Sequence, residues 1–452
     1  MPAAVVSGYN CGAMKDTDTT SDRRPLTRKR GIAAGGALLV ACLAMTFLAG
    51  CGLQNGSETI AFLRGKTLWA INPDGSGLRQ LAEGNIVSVS WSPDHHQYVM
   101  RTTQAYAPPK PLSLLGASDA PADLSVGSVS GGSTVQITPN LAGLARSDAW
   151  WNADGNRLLY RESFAGSGLD GATYVVSQAD QPVGIARKSV AENAGLPVLS
   201  PDGSRLASLD NKGNIYLGAP GASGSVIATG ALLTMPNSNR PARMLWQPQH
   251  DALLYLASGA QSKAAIELLP LGGKPRSLGE VSGLLDLSFS PDGSRLLLRT
   301  TQGFEVWNVA QPGKAVFSWT EDDPAALPWW SPAGGRILVQ DASGWRLVDI
   351  AQHSISPLIT FRGATASDIA NAGSWHPATG SPWDTTGNHF VFVGTSSALW
   401  QGKSLTAPHA STTGLYVADL ASGYAPMLID SGADRSPTWR YLDPSTAFLV
   451  MA

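Results

Sequence analysis

Cysteine is almost absent from this chain. The 452 residues contain three cysteines, and all of them lie within the first 51 positions, as Cys11, Cys42 and Cys51. The region that follows has none, which excludes disulfides, thiolate metal sites and a cysteine nucleophile there. We therefore expect that region to be stabilised by packing alone.

Charged residues are also scarce. They make up 15% of the sequence, with 32 Lys and Arg against 34 Asp and Glu, and no basic run occurs after residue 57. A mildly acidic chain of this kind gives no support to nucleic-acid binding or to attraction by anionic lipid headgroups. We expect no nucleic acid among the partners of this protein.

Catalytic and cofactor signatures are missing as well. No Gly-x-Ser-x-Gly elbow occurs, and the glycine-rich stretches 127–132 and 218–224 do not open a helix after a strand, as a phosphate-binding loop would. His95 and His96 are adjacent, so their side chains point apart, and the acidic run 321–323 is expected to be a solvated connection. We predict no catalytic residue, no cofactor and no metal site.

Helical periodicity is not found in any long segment after residue 57. Instead, 49 glycines and 30 prolines separate short apolar runs such as 295–299 and 336–340. Polar turn clusters recur about every ten residues, a pattern typical of short strands in all-β proteins. The sequence therefore predicts an all-β fold.

A bulky apolar residue followed by a tight polar turn recurs eight times. Successive landmark residues lie 41 to 60 positions apart, which suits one four-stranded sheet per repeat. We predict a β-propeller of eight four-stranded blades, with a seven-bladed ring as the alternative because two of the turns are weak. The landmark residues are Trp91, Trp151, Leu199, Trp246, Phe289, Trp330, Trp383 and Trp439.

The turn that follows each landmark has a physical role for each residue type. In the segment 200–203, Ser-Pro-Asp-Gly, proline presets its backbone angle, aspartate accepts from nearby amides and glycine adopts the positive φ of the reversal. The landmark side chain is expected to fill the space between neighbouring sheets. The aspartates are expected to be turn residues and not calcium ligands, because no stretch offers alternating oxygen ligands. They are Asp74, Asp154, Asp202 and Asp292.

The two ends of the repeat region each supply part of a blade. Thirteen residues follow Trp439 and 34 separate Ser57 from Trp91, which together equal one further repeat length. We predict that residues 437–452 give the inner strands of the last blade and residues 58–81 its outer strands. Both termini would then close the ring and leave no long bare sheet edge.

The amino terminus has the pattern of an export signal. A basic stretch at residues 23–30 precedes an uncharged stretch at 31–47, and Leu-Ala-Gly-Cys follows at 48–51. This pattern resembles the lipobox of bacterial lipoproteins, which implies acylation of Cys51 and cleavage before it. A retained transmembrane helix and an ordinary secretory signal are the alternatives.

This resemblance divides the chain into a lipoprotein signal peptide at 1–50, a tether at 51–57 and a propeller at 58–452. It implies an extracytoplasmic protein that is lipid-anchored to the bacterial cell membrane. Met14 is an alternative start, and the two arginines at 23–24 resemble a twin-arginine signal, so the export route stays open between Sec and Tat.

Three segments carry a family resemblance. Residues 71–81, 199–206 and 289–296 resemble the WD40-like repeats of the TolB propeller. Together with the lipobox, the chain is similar to the propeller part of LpqB-type lipoproteins. The resemblance implies the fold over residues 57–452 but no single function, because such repeats occur in scaffolds, binding proteins and protease accessory domains.

Two repeats run long, at 105–133 in the first complete repeat and at 361–382 and 396–413 in the seventh. Extra length must lie on a face of the ring, where loops form binding surfaces on a rigid scaffold. We predict partner contacts in the seventh repeat; the alternative is that its tryptophans only cover the seventh blade. The predicted contact residues are Trp375, Trp400, Lys403 and His409.

These observations favour a monomeric, non-catalytic propeller that binds or scaffolds a protein or a cell-envelope component. The membrane would be contacted through the lipid on Cys51. A propeller hydrolase or lyase acting on glycans is the alternative from another class, and a sensor module for a small ligand is a third.

Overall fold

The computed structural model describes the chain from residue 59 to residue 451, with internal gaps. The predicted signal at 1–50, Cys51 and the tether at 51–57 lie outside the described residues. Within the described part, no helix has the length and apolar character needed to cross a membrane. The internal positions outside the description are 65–66, 95, 104–120, 139–143, 165–172, 180–187, 193–196, 237–241, 324–325, 342, 361–380, 396–398, 405–412, 423–425 and 432–449.

The two ends of the chain meet in one blade. The C-terminal strand pairs antiparallel with the first strand, with Ile60 opposite Met451 and Ala61 opposite Val450. This confirms the predicted closure of the ring by both termini; of the predicted inner strands, one is described. The strands of this blade, blade 8, are β1 (Ile60–Arg64), β2 (Thr67–Ile71), β3 (Arg79–Ala82) and β34 (Val450–Met451).

Blades 1 to 4 follow in chain order, and each is an antiparallel sheet. Blade 1 contains β4 (Ile86–Trp91), β5 (Gln97–Thr103), β6 (Ala122–Ser128) and β7 (Val135–Gln136). Blade 2 contains β8 (Leu144–Arg146), β9 (Trp150–Trp151), β10 (Arg157–Phe164), β11 (Thr173–Gln178) and β12 (Lys188–Glu192). Blade 3 contains β13 (Val198–Leu199), β14 (Leu206–Leu209), β15 (Ile215–Gly218) and β16 (Ser225–Ala228). Blade 4 contains β17 (Leu245–Trp246), β18 (Ala252–Ser258), β19 (Ala264–Pro270) and β20 (Arg276–Val281), with a short 3-10 helix at Ala260–Ser262.

Blades 5 to 7 complete the ring of eight, which confirms eight blades and not seven. In blade 7 an isolated bridge between Trp383 and Phe390 occupies the place of the first strand. Blade 5 contains β21 (Leu284–Phe289), β22 (Arg295–Thr300), β23 (Gly303–Asn308) and β24 (Ala315–Thr320). Blade 6 contains β25 (Leu327–Trp330), β26 (Arg336–Asp341), β27 (Gly344–Asp349) and β28 (Ser354–Thr360), extended by β30 (Leu399–Trp400) and β31 (Lys403–Ser404). Blade 7 contains β29 (His389–Thr395), β32 (Thr413–Asp419) and β33 (Met427–Ser431).

The hydrophobic core lies between the blades. Among the described residues, eight clusters of buried apolar side chains occur, one at each interface between successive blades. Between blades 4 and 5, for example, Leu254 and Leu256 pack with Leu296 and Leu298. Each sheet therefore buries its faces only against its two neighbours, which is the packing expected of a propeller.

The landmark residues stand where the repeat predicts them. Six of them end the first strand of blades 1 to 6, and Trp383 forms the bridge of blade 7. Trp439 lies outside the described residues. Because the first strand of a blade is nearest the ring axis, the landmark side chains enter the narrow space between neighbouring blades.

Four landmark tryptophans also hydrogen-bond to the preceding blade. The indole N–H of each donates to the residue immediately before the preceding landmark, so the bond joins equivalent positions of successive blades. The donors and acceptors are Trp151 Nε1 to Ser90 O at 3.1 Å, Trp246 Nε1 to Val198 O at 3.2 Å, Trp330 Nε1 to Ser288 Oγ at 3.3 Å and Trp383 Nε1 to Trp329 O at 3.2 Å.

Polar side chains at the turn after the landmark bond to the following blade. Three arginines, each five residues after the first polar residue of its turn, donate to the carbonyl of the turn glycine of the next blade. In blade 4 a glutamine, Gln247, donates to the corresponding glycine carbonyl of blade 5. The pairs are Arg157 to Gly203 at 2.7 Å, Gln247 to Gly293 at 2.8 Å, Arg295 to Gly334 at 2.6 Å and Arg336 to Gly387.

The turn chemistry agrees with the predicted roles. In blade 3, Ser200 Oγ donates to Asp202 Oδ1 at 2.5 Å and accepts from the backbone N–H of Arg205 at 2.9 Å. Gly203 has a φ of +69°, in the left-handed region that glycine adopts without strain. At Gly293 a side chain is excluded by space as well, because a Cβ would lie 2.5 Å from the carbonyl oxygen of Pro248. The turns are therefore fixed both internally and against the neighbouring blade.

These bonds give the turn aspartate a pH-dependent contribution to stability. Hydrogen bonds from the side chain of Ser200 and from the side chain and backbone of Ser204 lower the pKa of Asp202 to about 2. Since this folded pKa is below the unfolded value, the contribution is present above about pH 4 and is lost as the pH falls toward 2. We expect Asp202→Asn to reduce the free energy of unfolding at pH 7, by at most about 1 kcal/mol for so exposed a group, and to have less effect near pH 2.

Urea denaturation at pH 7, 4 and 2 measures this difference. Asp251→Asn is a matched control, because Asp251 is an exposed aspartate in the equivalent turn of blade 4 whose carboxylate has no hydrogen bond within the described structure. A pH-independent effect of Asp202→Asn would show that the charge of the turn carboxylate does not contribute.

Candidate functional site

The propeller has two different faces. Connections between the first and second strands of a blade, and between its third and fourth strands, leave on one side, which we call the turn face. Connections between the second and third strands, and from the fourth strand to the next blade, leave on the other side, the loop face. This division follows from the antiparallel order of every blade.

All large differences in length lie on the loop face. From blade 1 to blade 7, the connections between first and second strands on the turn face have five or six residues each. On the loop face, two residues join β22 to β23, whereas 17 residues join β29 to β32 and 21 residues separate β28 from Pro382. Blade 1 adds 18 residues between β5 and β6. The long segments predicted at 361–382 and 396–413 therefore begin and end on the same face.

The insertion of blade 7 contains a hairpin that joins blade 6. Trp400 pairs with Ile359 at the end of β28, and Lys403 pairs back with Trp400. Gln401 and Gly402 form the two-residue loop with φ values of 45° and 82°, as a type I′ turn requires at both positions. The hairpin thus starts at the loop face and covers part of the outer edge of blade 6, with its tip directed along that edge, where the Gln401 N–H donates to Leu358 O at 2.8 Å.

Trp400 is a core residue of this hairpin. Its side chain is 3% exposed and packs in the cluster between blades 6 and 7, with its ring centroid 6.3 Å from that of Phe390. A partner cannot reach it in this conformation, so the alternative that it covers the seventh blade describes its position. Sequence reasoning missed this because the strand that buries Trp400 belongs to the neighbouring blade.

Of the other predicted contact residues, Lys403 is exposed at the tip of the hairpin, beside the exposed Gln401 and Gly402. Trp375 and His409 lie outside the described residues. The described part of the candidate site is therefore an exposed tip, residues 401–403, on a base that is fixed by Trp400.

Buried ion pairs lie at the loop-face ends of the strands in blades 1 and 2. Arg146 is fully buried, and its guanidinium contacts Asp123 at 2.8 Å in blade 1 and Glu162 at 2.9 Å in its own blade. Nearby, Arg101 of blade 1 contacts Asp148, just before β9, at 2.8 Å. Because an unpaired buried charge is costly, these pairs hold the two blades in register.

A second ionic group joins blades 5 and 6. Arg346 Nη2 contacts both Glu321 Oε2 and Asp341 Oδ2, and the two acidic side chains are each 6% exposed. Burial raises the pKa of Glu321, and the nearby Arg346 opposes that effect. The expectation that residues 321–323 form a solvated connection is therefore wrong for Glu321, whose partners lie elsewhere in the sequence, whereas Asp322 is exposed.

The pairing of these charged side chains limits the chemistry that the loop face can perform. The buried carboxylates described above are each paired with an arginine, so their charge serves to join neighbouring blades. Within the described ranges, no group of three or more His, Cys, Asp or Glu side chains is placed to hold a metal ion. Within the described residues, the exposed part of the candidate site is the hairpin tip at 401–403.

Comparison with known proteins assigns neither a family nor a function. No protein-family model matches the chain, and no curated protein matches it. The chain is similar to the C-terminal WD40 domain of Sif2, with 14% identity and a TM-score of 0.45 over 79% of this chain and 90% of that one.

Two further solved structures are similar to the chain. A eukaryotic initiation factor has 12% identity and a TM-score of 0.46 over 83% of this chain and 86% of its own. An oligogalacturonate lyase in complex with manganese has 13% identity and a TM-score of 0.44 over 64% and 81%. At these identities none of them assigns a function, and the resemblance to TolB and LpqB-type lipoproteins stays a prediction.

The two sides of the hairpin are expected to respond differently to substitution. Trp400→Ala removes a buried indole and should lower the free energy of unfolding by about 3–5 kcal/mol. Lys403→Ala removes an exposed side chain and should change it by less than about 0.5 kcal/mol. Urea denaturation of the two variants measures both values. Equal effects would contradict the assignment of Trp400 to the core and of Lys403 to the surface.

Proposed function

We propose that this protein is an extracytoplasmic propeller, lipid-anchored through Cys51, that binds a protein or a cell-envelope component on its loop face without catalysing a reaction. The observation that carries the proposal is the exposed tip at 401–403, held on the ring by a buried tryptophan. The lipobox at 48–51 supports the location, and the propeller supports the role as a scaffold.

The hairpin suits binding because its conformation is fixed before a partner arrives. Its two strands are paired to each other and to β28, and the Trp400 side chain is locked in the core. A preorganised segment loses little conformational entropy on association, so more of its contact energy contributes to affinity. Lys403 adds a positive charge, which suits a partner that presents a carboxylate or a phosphate at this point.

The ionic groups of the loop face support binding more than catalysis. A general acid or base must lie within hydrogen-bond reach of its substrate, so that it can donate or accept a proton. Glu321 and Asp341 share one arginine and are almost fully buried, and Arg146 engages Asp123 and Glu162 in the same way. These carboxylates therefore help to keep the loop face rigid, and the hairpin is attached to that face.

Crosslinking in intact bacterial membranes, followed by recovery of the chain, tests this function. Deleting residues 396–413 would remove Trp400 from the core, so Lys403→Glu is the sharper variant. We expect recovery of the bound partner to fall about tenfold, which corresponds to a loss of about 1.4 kcal/mol of binding free energy. Thermal unfolding should show that the variant stays folded.

The control is Lys274→Glu, which reverses an equally exposed lysine on the turn face between β19 and β20. Partner recovery should stay at the level of the unchanged chain. If both variants recover the same partners equally well, the loop-face tip is not the binding surface.

A further inference from the structure

We propose that β16, the outer strand of blade 3, pairs with the same strand of a second copy of this chain and forms a weak two-fold dimer. This surface is the outer edge of blade 3 and is separate from the loop-face tip, which lies at blade 6. The inference differs from the expectation of a simple monomer and goes beyond the proposed function.

The outer edge of β16 is open. The strand is the last of its sheet, and within the described residues it pairs only with β15. Ser225 and Val226 are exposed, and Val226 keeps 49% of its surface accessible, the largest value among the exposed large apolar side chains. An unpaired strand edge presents a row of backbone donors and acceptors to any extended segment that can align with it.

Other outer strands carry features that discourage such pairing. A charged residue, a proline or a cover blunts an edge because it repels, removes a donor or blocks access. Those features are Arg79 in β3, Lys188 and Glu192 in β12, Arg276 and Glu280 in β20, the stack of Phe317 in β24 on His353, Pro357 and the hairpin at β28, and Asp430 in β33. In blade 1 the outer strand β7 has two residues, and a very short strand offers little edge to pair with.

Within the part of the chain that the structure describes, the segment around β16 has none of these protections. From Ile215 to Pro236 the sequence contains no charged residue. It includes two of the five exposed large apolar side chains, Val226 and Leu233. A chain whose charged fraction is 15% therefore has a long neutral stretch here, and this stretch includes an open edge.

A second copy fits this edge better than a foreign peptide. Peptides added to a sheet edge are selected by pockets for their alternate side chains, and the surface beside β16 is formed by small residues such as Gly221, Ala222 and Ser223. Antiparallel pairing about a two-fold axis needs no pocket, because each strand meets its own donors and acceptors in reverse order. Because the segment carries no charged residue, two copies of it do not repel each other when they pair.

The size of the contact predicts a weak dimer. β16 has four residues, so the interface is much smaller than the roughly 1,600 Å² of a standard stable complex. The association should therefore depend on concentration in solution. If the chain is anchored as proposed above, confinement to one membrane would raise the local concentration and favour the pair.

Sedimentation equilibrium of the full chain in detergent, from about 1 to about 300 μM, tests the dimer, since contacts of this size give weak affinities. The unchanged chain should follow a monomer–dimer equilibrium. Val226→Lys places like charges at the paired edge and should weaken the dimer at least about tenfold. Met427→Lys is the control, because Met427 is 47% exposed on β33, the outer strand of blade 7, and it should leave the equilibrium unchanged.

Amide hydrogen exchange gives a second measurement that does not depend on a variant. Exchange at residues 225–228 should slow as the concentration rises, while exchange at 427–431 should not. The proposal is overturned if the chain stays monomeric over the whole range, if Val226→Lys dimerises as well as the unchanged chain, or if the protection lies elsewhere. None of these outcomes bears on the loop-face tip, so this test and the pull-down fail independently.

Discussion

The ring depends on side chains of one blade that hydrogen-bond to the backbone of the next. In blade 2, for example, Trp151 donates backwards to Ser90 O and Arg157 donates forwards to Gly203 O, so this turn is tied to both neighbours. The buried carbonyl acceptors cannot form a hydrogen bond to water instead, and leaving one unpaired would cost about 1–3 kcal/mol. In the part of the chain after Cys51 there is no cysteine, so these bonds and the apolar clusters between blades provide the cohesion.

This cohesion explains why the loop face can vary. The connections between first and second strands on the turn face are nearly constant in length. In blades 3, 5, 6 and 7 the turn is both a link within its blade and an acceptor for its neighbour, and a longer turn would break both. The loop face is held by buried ion pairs close to the strand ends, such as Arg146 with Glu162. Segments beyond those pairs are free to lengthen, and blade 7 uses this freedom to place a hairpin against blade 6.

Much of the fold could be predicted from the sequence because its signals are local. The landmark and its turn occupy consecutive positions, as in residues 199–203, and their spacing fixes the number of blades. Chain length on either side of Trp91 and Trp439 was enough to predict the shared blade. The burial of Trp400 and the pairing of Glu321 with Arg346 could not be predicted, because both depend on which distant strand lies alongside. The partner contacts in the seventh repeat stay a prediction, to which the structure adds that Trp400 is buried.

The free energy of unfolding of Trp383→Phe, compared with that of Trp345→Phe, tests the interblade bonds most directly. Both tryptophans are buried in the same cluster between blades 6 and 7. Trp383 Nε1 donates to Trp329 O, whereas Trp345 Nε1 has no hydrogen-bond partner within the described structure. We predict that Trp383→Phe costs about 1–2 kcal/mol more than Trp345→Phe. Equal costs would contradict the view that these bonds hold the ring together.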